Sequence, residues 1–393
     1  MNNKETYSPW QQIDYTILFL LFLLFCISIL SIYSVEPNLP VHLRNHNFAI
    51  KQVIHYIIGF VVLVLAMLID FDRFKQISWY LYGFGLFLLV VLEFAPNSIA
   101  PISFGAKRAF NLPLIGTFMP SEFMKIFLII TLSTIIAQHN EKYFEKTIRE
   151  DFLLLGKIAL VSVFPIFFIF RQPDLGTSLV FVFIIGCLIV VSGIRWRIIF
   201  GLIGAGLLFI AVIVLTYLRF PSFVINVLLG GEDYQIKRIY GWLDPYENVG
   251  GLGYQLVKSM TAIGSGQLYG KGLNENTVYL PEAHTDFIFA VIGEQFGFIG
   301  TSIVVAIYFM LIYRIIHTAI ESNDPFGTYL CVGIVGMFTF QIFQNIGMTI
   351  GLLPITGIPL PFISYGGSSL LTSMLTIGLV LNVASRTRKY MFD

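Results

Sequence analysis

Charge is what this sequence has least of. Only 12% of its 393 residues are Asp, Glu, Lys or Arg, against about 25% in ordinary soluble domains. The 24 basic and 23 acidic residues leave a net charge of +1, and no basic patch stands out, which removes the electrostatic footprint of a nucleic-acid partner. Cysteine is nearly missing too. Cys26, Cys187 and Cys331 each sit in an apolar run without CxxC or metal spacing, so they read as small buried hydrophobes rather than a disulfide or zinc framework. There is no P-loop, no HExxH and no Rossmann fingerprint, which excludes the nucleotide and zinc chemistries those motifs carry.

What is present is apolar surface: 56% hydrophobic residues and a mean hydropathy of +0.80. Uncharged runs of about 18 residues or more cross the hydrocarbon of a bilayer. They occur at 15–35, 52–69, 76–92, 175–194, 198–218 and 295–313. Two weaker runs begin near Glu122 and Phe152, each with one interior lysine (Lys125, Lys157), and Pro165 interrupts the second. Pro325 to Ser385 carries no charge. It is far too long for one span, and Pro354-Ile-Thr-Gly-Ile-Pro-Leu-Pro divides it in two. The expected fold class is therefore an all-α integral membrane protein of about ten transmembrane helices, a single polytopic domain over 1–393. Residues 15–35 are too long for the apolar core of a cleavable signal, so the first span targets the chain.

With the N-terminus inside, the short inner segments hold twelve Lys and Arg and the outer ones five, so the positive-inside rule puts both termini in the cytoplasm. One long extracellular loop, 220–284, then joins helices seven and eight. Loops of that length are usually functional or disordered, and its aromatics and glycines favour order. Within it Tyr254, Val257, Met260 and Ile263 recur at helical spacing. They mark a helix that lies on the membrane surface or packs on the rest of the loop.

Several polar clusters stand at the ends of these spans. In Pro281-Glu-Ala-His-Thr-Asp-Phe, Asp286 enters helix eight, as an N-cap or as an ionised general base beside a lipid head group. Glu282 and His284 are neighbours able to tune it. Lys107 and Arg108 are adjacent cations suited to a pyrophosphate or to anionic lipid head groups. Glu122 and Lys125 share a helix face, as a neutralising pair or as a charged cavity wall. Arg171-Gln-Pro-Asp separates helices five and six, and capping accounts for Asp174. Ser364 opens Ser-Tyr-Gly-Gly-Ser-Ser, where paired glycines permit close approach or a cavity-lining break.

Taken together, Pro120-Ser-Glu-Phe-Met-Lys, Gln172-Pro-Asp-Leu-Gly-Thr, Ala262-Ile-Gly-Ser-Gly, Gly270-Lys-Gly, the 281–289 string, Gln344-Asn-Ile-Gly-Met and Pro359-Leu-Pro-Phe-Ile-Ser-Tyr-Gly-Gly-Ser-Ser resemble, in order along nearly the whole chain, the SEDS family of bacterial shape, elongation, division and sporulation proteins. Asp233-Tyr-Gln-Ile-Lys-Arg before Trp242 resembles the elongation branch. The resemblance implies a peptidoglycan glycosyltransferase of the bacterial cytoplasmic membrane. It would polymerise lipid II on the outer face during elongation, with a class B penicillin-binding protein (transpeptidase) and other elongation-complex membrane proteins as partners. It also implies Asp286 as the catalytic residue, and Lys107, Arg108, Glu122 and Lys125 in substrate binding. Glu282, His284 and Ser364 are further substrate-binding candidates. Many members carry Trp after the basic pair, where this chain has Ala109 and Phe110.

In that reading Asp286 takes the proton of an acceptor sugar hydroxyl and undecaprenyl pyrophosphate leaves. The leaving charge calls for Lys107, Arg108 or a divalent cation (Mg or Mn), since the loop's four cations face six carboxylates. Two other classes fit the same residues: a lipid II flippase, from the intramembrane charges and broken segments, and a non-catalytic scaffold of the wall-synthesis complex.

Overall fold

Backbone amides in hydrocarbon have only one another to bond to, so the apolar runs become helices. The computed structural model describes residues 13–40, 47–101, 107–112, 116–143, 147–172, 174–220, 234–247 and 251–387. The helices are α1 (Tyr15–Val35), α2 (Phe48–Leu68), α3 (Phe71–Phe94), α4 (Pro120–Lys142), α5 (Ile148–Arg171), α6 (Leu175–Val191), α7 (Trp196–Arg219), α8 (Tyr234–Leu243), α9 (Leu252–Ser265), α10 (Ile288–Glu321), α11 (Pro325–Thr349) and α12 (Gly367–Thr387). Among the described residues nine are long and apolar enough to span a membrane, and α6, at 17 residues, is the short tenth. It stops early because the chain turns at Gly193, where φ is +79°. A feature absent from the all-α expectation is a small hairpin, β1 (Phe110–Leu112) paired antiparallel with β2 (Gly116–Phe118).

Local chemistry starts these helices. Asp14 accepts from the Thr16 and Ile17 amides at α1, Thr147 and Glu150 form a capping box at α5, and Asp324 accepts from Phe326 at α11. Pro165 does not end α5, contrary to the sequence expectation. The amide it lacks would have bonded the Val161 carbonyl, and the Tyr82 hydroxyl of α3 donates to that carbonyl instead, at 2.7 Å.

The hub is α4, with 94% of its apolar stretch buried against α3, α5, α6, α11 and α12. At the other extreme α7 is 6% buried. It leaves an apolar cavity of about 1020 Å³ between itself, α6, α10 and α11. The 350–366 connection breaks the uncharged C-terminal run as its prolines require. Its carbonyls are met by side chains from the surrounding helices: Ser28 donates to Ile363, Tyr56 to Phe362 at 2.5 Å, Gln52 to Ser364, and Tyr308 to Pro361.

The described parts of the loop between α7 and α10 are tied down rather than draped. The helix expected at 254–263 is α9, and it packs against α10 and α11 through Leu256, Ser259 and Ala262. Ser259 donates to the Thr349 carbonyl at 2.8 Å. Beyond it, residues 266–272 fit into a break in α10 at Gly297, φ +64°. A β-carbon there would fall 2.4 Å from the Gly270 nitrogen. The carbonyls freed at the break, Glu294 and Gln295, accept from Lys271 and Gly272 at 3.0 Å each. The strings 221–233 and 248–250, including Asp233, lie outside the described residues.

Candidate active site

One polar cavity of about 380 Å³ lies where α4, α6 and α12 begin and the 281–287 turn enters α10. The turn delivers Asp286 to it. Sequence spacing suggested that Asp286 caps the helix; instead α10 starts at Ile288 with Phe287 in the cap position and no side-chain cap bond, so the carboxylate points into the cavity. Its Oδ2 lies against Gly357 (φ +77°), where a β-carbon would stand 3.2 Å away. Nor is it the freely ionised carboxylate the sequence suggested. Burial, then Glu282, push its pKa up to about 7, and Asp174 adds to this, while Arg238 and Arg108 pull the other way. A base with a pKa near the working pH combines an available lone pair with real driving force for proton transfer.

Its neighbours come from distant segments. Glu282 lines the cavity in a left-handed conformation, φ +54°, with its carboxylate accepting from the Thr285 hydroxyl at 3.2 Å. The His284 ring sits 4.6 Å from that of Phe48 and 5.8 Å from that of Tyr365, and burial holds its pKa below the usual histidine value. Glu122 and Lys125 form a buried ion pair at 2.8 Å, with both residues on the cavity wall. Gly366 and Gly367 also line the cavity, beside Tyr365, Ser368 and Ser369.

Of the basic pair, Arg108 lines the cavity and donates to the Gln172 carbonyl at 3.4 Å. Lys107 is turned away: its ammonium donates to the Ala95 carbonyl at 2.7 Å, and it is no part of the cavity lining. Ser364 is likewise a buried brace, accepting from the Leu360 amide and donating to the Thr285 carbonyl. Phe110, which opens β1 one residue after Ala109, is buried with Leu92, Ala95 and Ala100.

Two charged lining residues escaped sequence reasoning as parts of the site. Asp174 caps α6, accepting from the Thr177 amide at 3.0 Å, and also faces the cavity. Arg238 reaches in from α8 and donates to the Thr356 carbonyl at 3.3 Å. Its signal was the i, i+4 spacing to Trp242, whose indole donates to the Gly351 carbonyl at 2.9 Å; that spacing turns one face of α8 onto the protein. Among the described residues no group of three or more His, Cys, Asp or Glu side chains could hold a metal ion, so the residues present do not fit the divalent cation that the sequence left open.

The family model of the FtsW/RodA/SpoVE cell cycle proteins matches residues 14–389. The chain is 35% identical over 345 residues to a probable peptidoglycan glycosyltransferase FtsW of Geobacter metallireducens, covering 87% of this chain and 86% of that one. It is 35% identical over 349 residues to stage V sporulation protein E of Bacillus subtilis, covering 87% and 88%. Its fold is similar to a chain of a peptidoglycan synthase complex that coordinates polymerization and crosslinking, with a TM-score of 0.77, 25% identity and coverage of 95% and 98%. It is also similar in fold to the rod shape determining protein RodA of Thermus thermophilus, with a TM-score of 0.66, 24% identity and coverage of 96% and 98%.

Proposed function

We propose that this chain, which belongs to the FtsW/RodA/SpoVE family of cell cycle proteins, is a peptidoglycan glycosyltransferase that polymerises lipid II at the outer face of the cytoplasmic membrane. The observation that carries the reading is the carboxylate of Asp286, with a pKa near 7, in a polar cavity that also collects Arg108, Lys125 and Arg238. One base and several cations in one enclosed space are what an inverting glycosyl transfer from a pyrophosphate needs. Asp286 removes the proton of the acceptor's 4-hydroxyl, and that oxygen attacks the donor's anomeric carbon. The bond to the pyrophosphate oxygen breaks, and the cations take up the charge that develops on the leaving group. The substrate's polyprenyl chain needs apolar surface. The 1020 Å³ apolar cavity shares α6 and α11 as walls with the polar one.

Reconstitution with fluorescent lipid II and a class B penicillin-binding protein tests the reading. Glycan strands that disappear in Asp286→Asn are expected. Lipid II crossing vesicle membranes without polymer would identify a flippase, and neither outcome a scaffold. Against the flippase reading, the charges of the polar cavity gather at the helix ends where α4, α6 and α12 begin rather than at the middle of the helices. Orientation follows from a thiol probe: Tyr269→Cys, with Tyr269 78% exposed, should react with an impermeant maleimide in spheroplasts, and Glu141→Cys only after permeabilisation.

The branch of the family is a separate matter. The 233–238 string supports elongation, while the similarity to relatives named FtsW and stage V sporulation protein E supports division or sporulation. Depletion decides it: spherical cells mark elongation, filaments mark division.

A further inference from the structure

Asn345 is fully buried on α11, in a stretch without charge. Its amide group donates twice from the same nitrogen: Nδ2 lies 2.8 Å from the backbone carbonyl of Asp286 and 2.8 Å from that of Ile358. Those carbonyls belong to the two segments that meet at the cavity. One carries the carboxylate; the other places Gly357, φ +77°, against it. A carbonyl only accepts, so the orientation of the amide follows from its partners. The price is Oδ1, which is buried without a hydrogen-bond partner. An apolar residue would avoid that cost but would strand both carbonyls. The adjacent Gln344 works on the same segment, donating to the Pro354 carbonyl at 2.9 Å.

We infer that Asn345 is a positioning residue for the glycosyl transfer: by bridging the Asp286 and Ile358 carbonyls it sets the carboxylate's place against Gly357 and so its aim at the acceptor hydroxyl. This rests on Asp286 being the general base. The bridge leaves untouched the charged groups facing Asp286, which are Glu282 and His284 from its own turn, Arg108 before the hairpin, Asp174 at α6, Arg238 from α8 and the Glu122–Lys125 pair from α4. A change in Asp286 behaviour on altering Asn345 therefore reports position, not a lost charge.

The experiment is steady-state polymerisation of fluorescent lipid II by the reconstituted protein with its transpeptidase partner, across pH. Asn345→Leu keeps the branched shape, at somewhat greater bulk, and removes both donors; Asn345→Ser is smaller and keeps one. The expected result is kcat lowered about 10–100-fold in Asn345→Leu, as a roughly 1 Å misplacement costs, with KM changed less than about 2-fold. Asn345→Ser should fall between Asn345→Leu and the wild type. The alkaline-rising limb of kcat should move to lower pH as the displaced carboxylate gains water. Should Asn345→Leu not fold, Asn345→Ser alone carries the same readouts. Wild-type kcat and an unmoved limb in the folded variants, with Asp286→Asn inactive, overturn the bridge and leave the base. Wild-type polymerisation by Asp286→Asn overturns both.

Discussion

The Lys271 ammonium lies 2.6 Å from the Glu294 carboxylate, which is buried where α10 breaks. The same Oε1 accepts from the Thr277 and Val278 amides at 2.9 and 3.2 Å. One carboxylate on a spanning helix therefore fastens the end of the long loop that leads into Asp286. Removing one partner of such a pair leaves a buried charge or stranded amides, worth about 3–5 kcal/mol. Glu294→Ala should lower the thermal midpoint most and Lys271→Met less, since Lys271 is half-exposed; both should depress polymerisation. Glu294→Gln, which keeps an acceptor for the two amides, should be milder. Differential scanning fluorimetry in detergent, beside the lipid II assay, checks the order.

Asp286→Asn should cut polymerisation by about 10²–10⁴, the usual worth of a general base, yet fold more stably at alkaline pH. The sign follows from the shift. The folded value, about 7, lies above the ordinary 3.8, so the folded state holds the proton more tightly. The stability this group contributes is full below pH ~4 and is lost as pH rises through ~7. A neutral amide does not lose it. The midpoint of Asp286→Asn should therefore match wild type near pH 4 and exceed it by about 2 °C or more at pH 8. Wild-type activity, in turn, should rise with pH through about 7.

Gly357→Ala places a β-carbon 3.2 Å from Asp286 Oδ2 on a backbone with φ +77°. A left-handed alanine costs about 1–2 kcal/mol, and the carboxylate must yield a few tenths of an ångström. Activity should fall by about tenfold or more while the membrane-inserted amount, read by immunoblot, stays near wild type.

Glu122→Ala and Lys125→Ala should each destabilise by about 3–5 kcal/mol, because each leaves its partner charged and buried within α4. The double variant should recover much of that stability. It should not recover activity, if Lys125 also serves the cavity. A double-mutant cycle on unfolding and on KM for lipid II separates the two roles.

Much of the architecture could be read from patterning alone. The spanning helices and the break at 354–361 follow from run length and proline, because a bilayer admits few alternatives. Pro165 shows the limit: whether a proline breaks a membrane helix depends on a replacement donor, and Tyr82 sits on another helix. The site was legible where chemistry clusters along the chain, as at Glu282, His284 and Asp286. It was illegible where a short string divides its labour. Lys107 and Arg108 are adjacent, yet one braces Ala95 and the other lines the cavity, according to the local twist of the chain entering the hairpin.

Hydropathy and breaks, then, determined a polytopic helical chain with its polar residues gathered at helix ends, since transfer of an apolar run into lipid is a local property of that run. Which of those residues share a cavity was decided only by packing. Asn345 donates a hydrogen bond to the Asp286 carbonyl, Gly357 lies against its carboxylate, and Arg238 reaches the same cavity while donating to the Thr356 carbonyl, all from segments far apart in the chain. The burial that carries the Asp286 carboxylate toward neutral pH belongs to that assembly and not to the residues on either side of it.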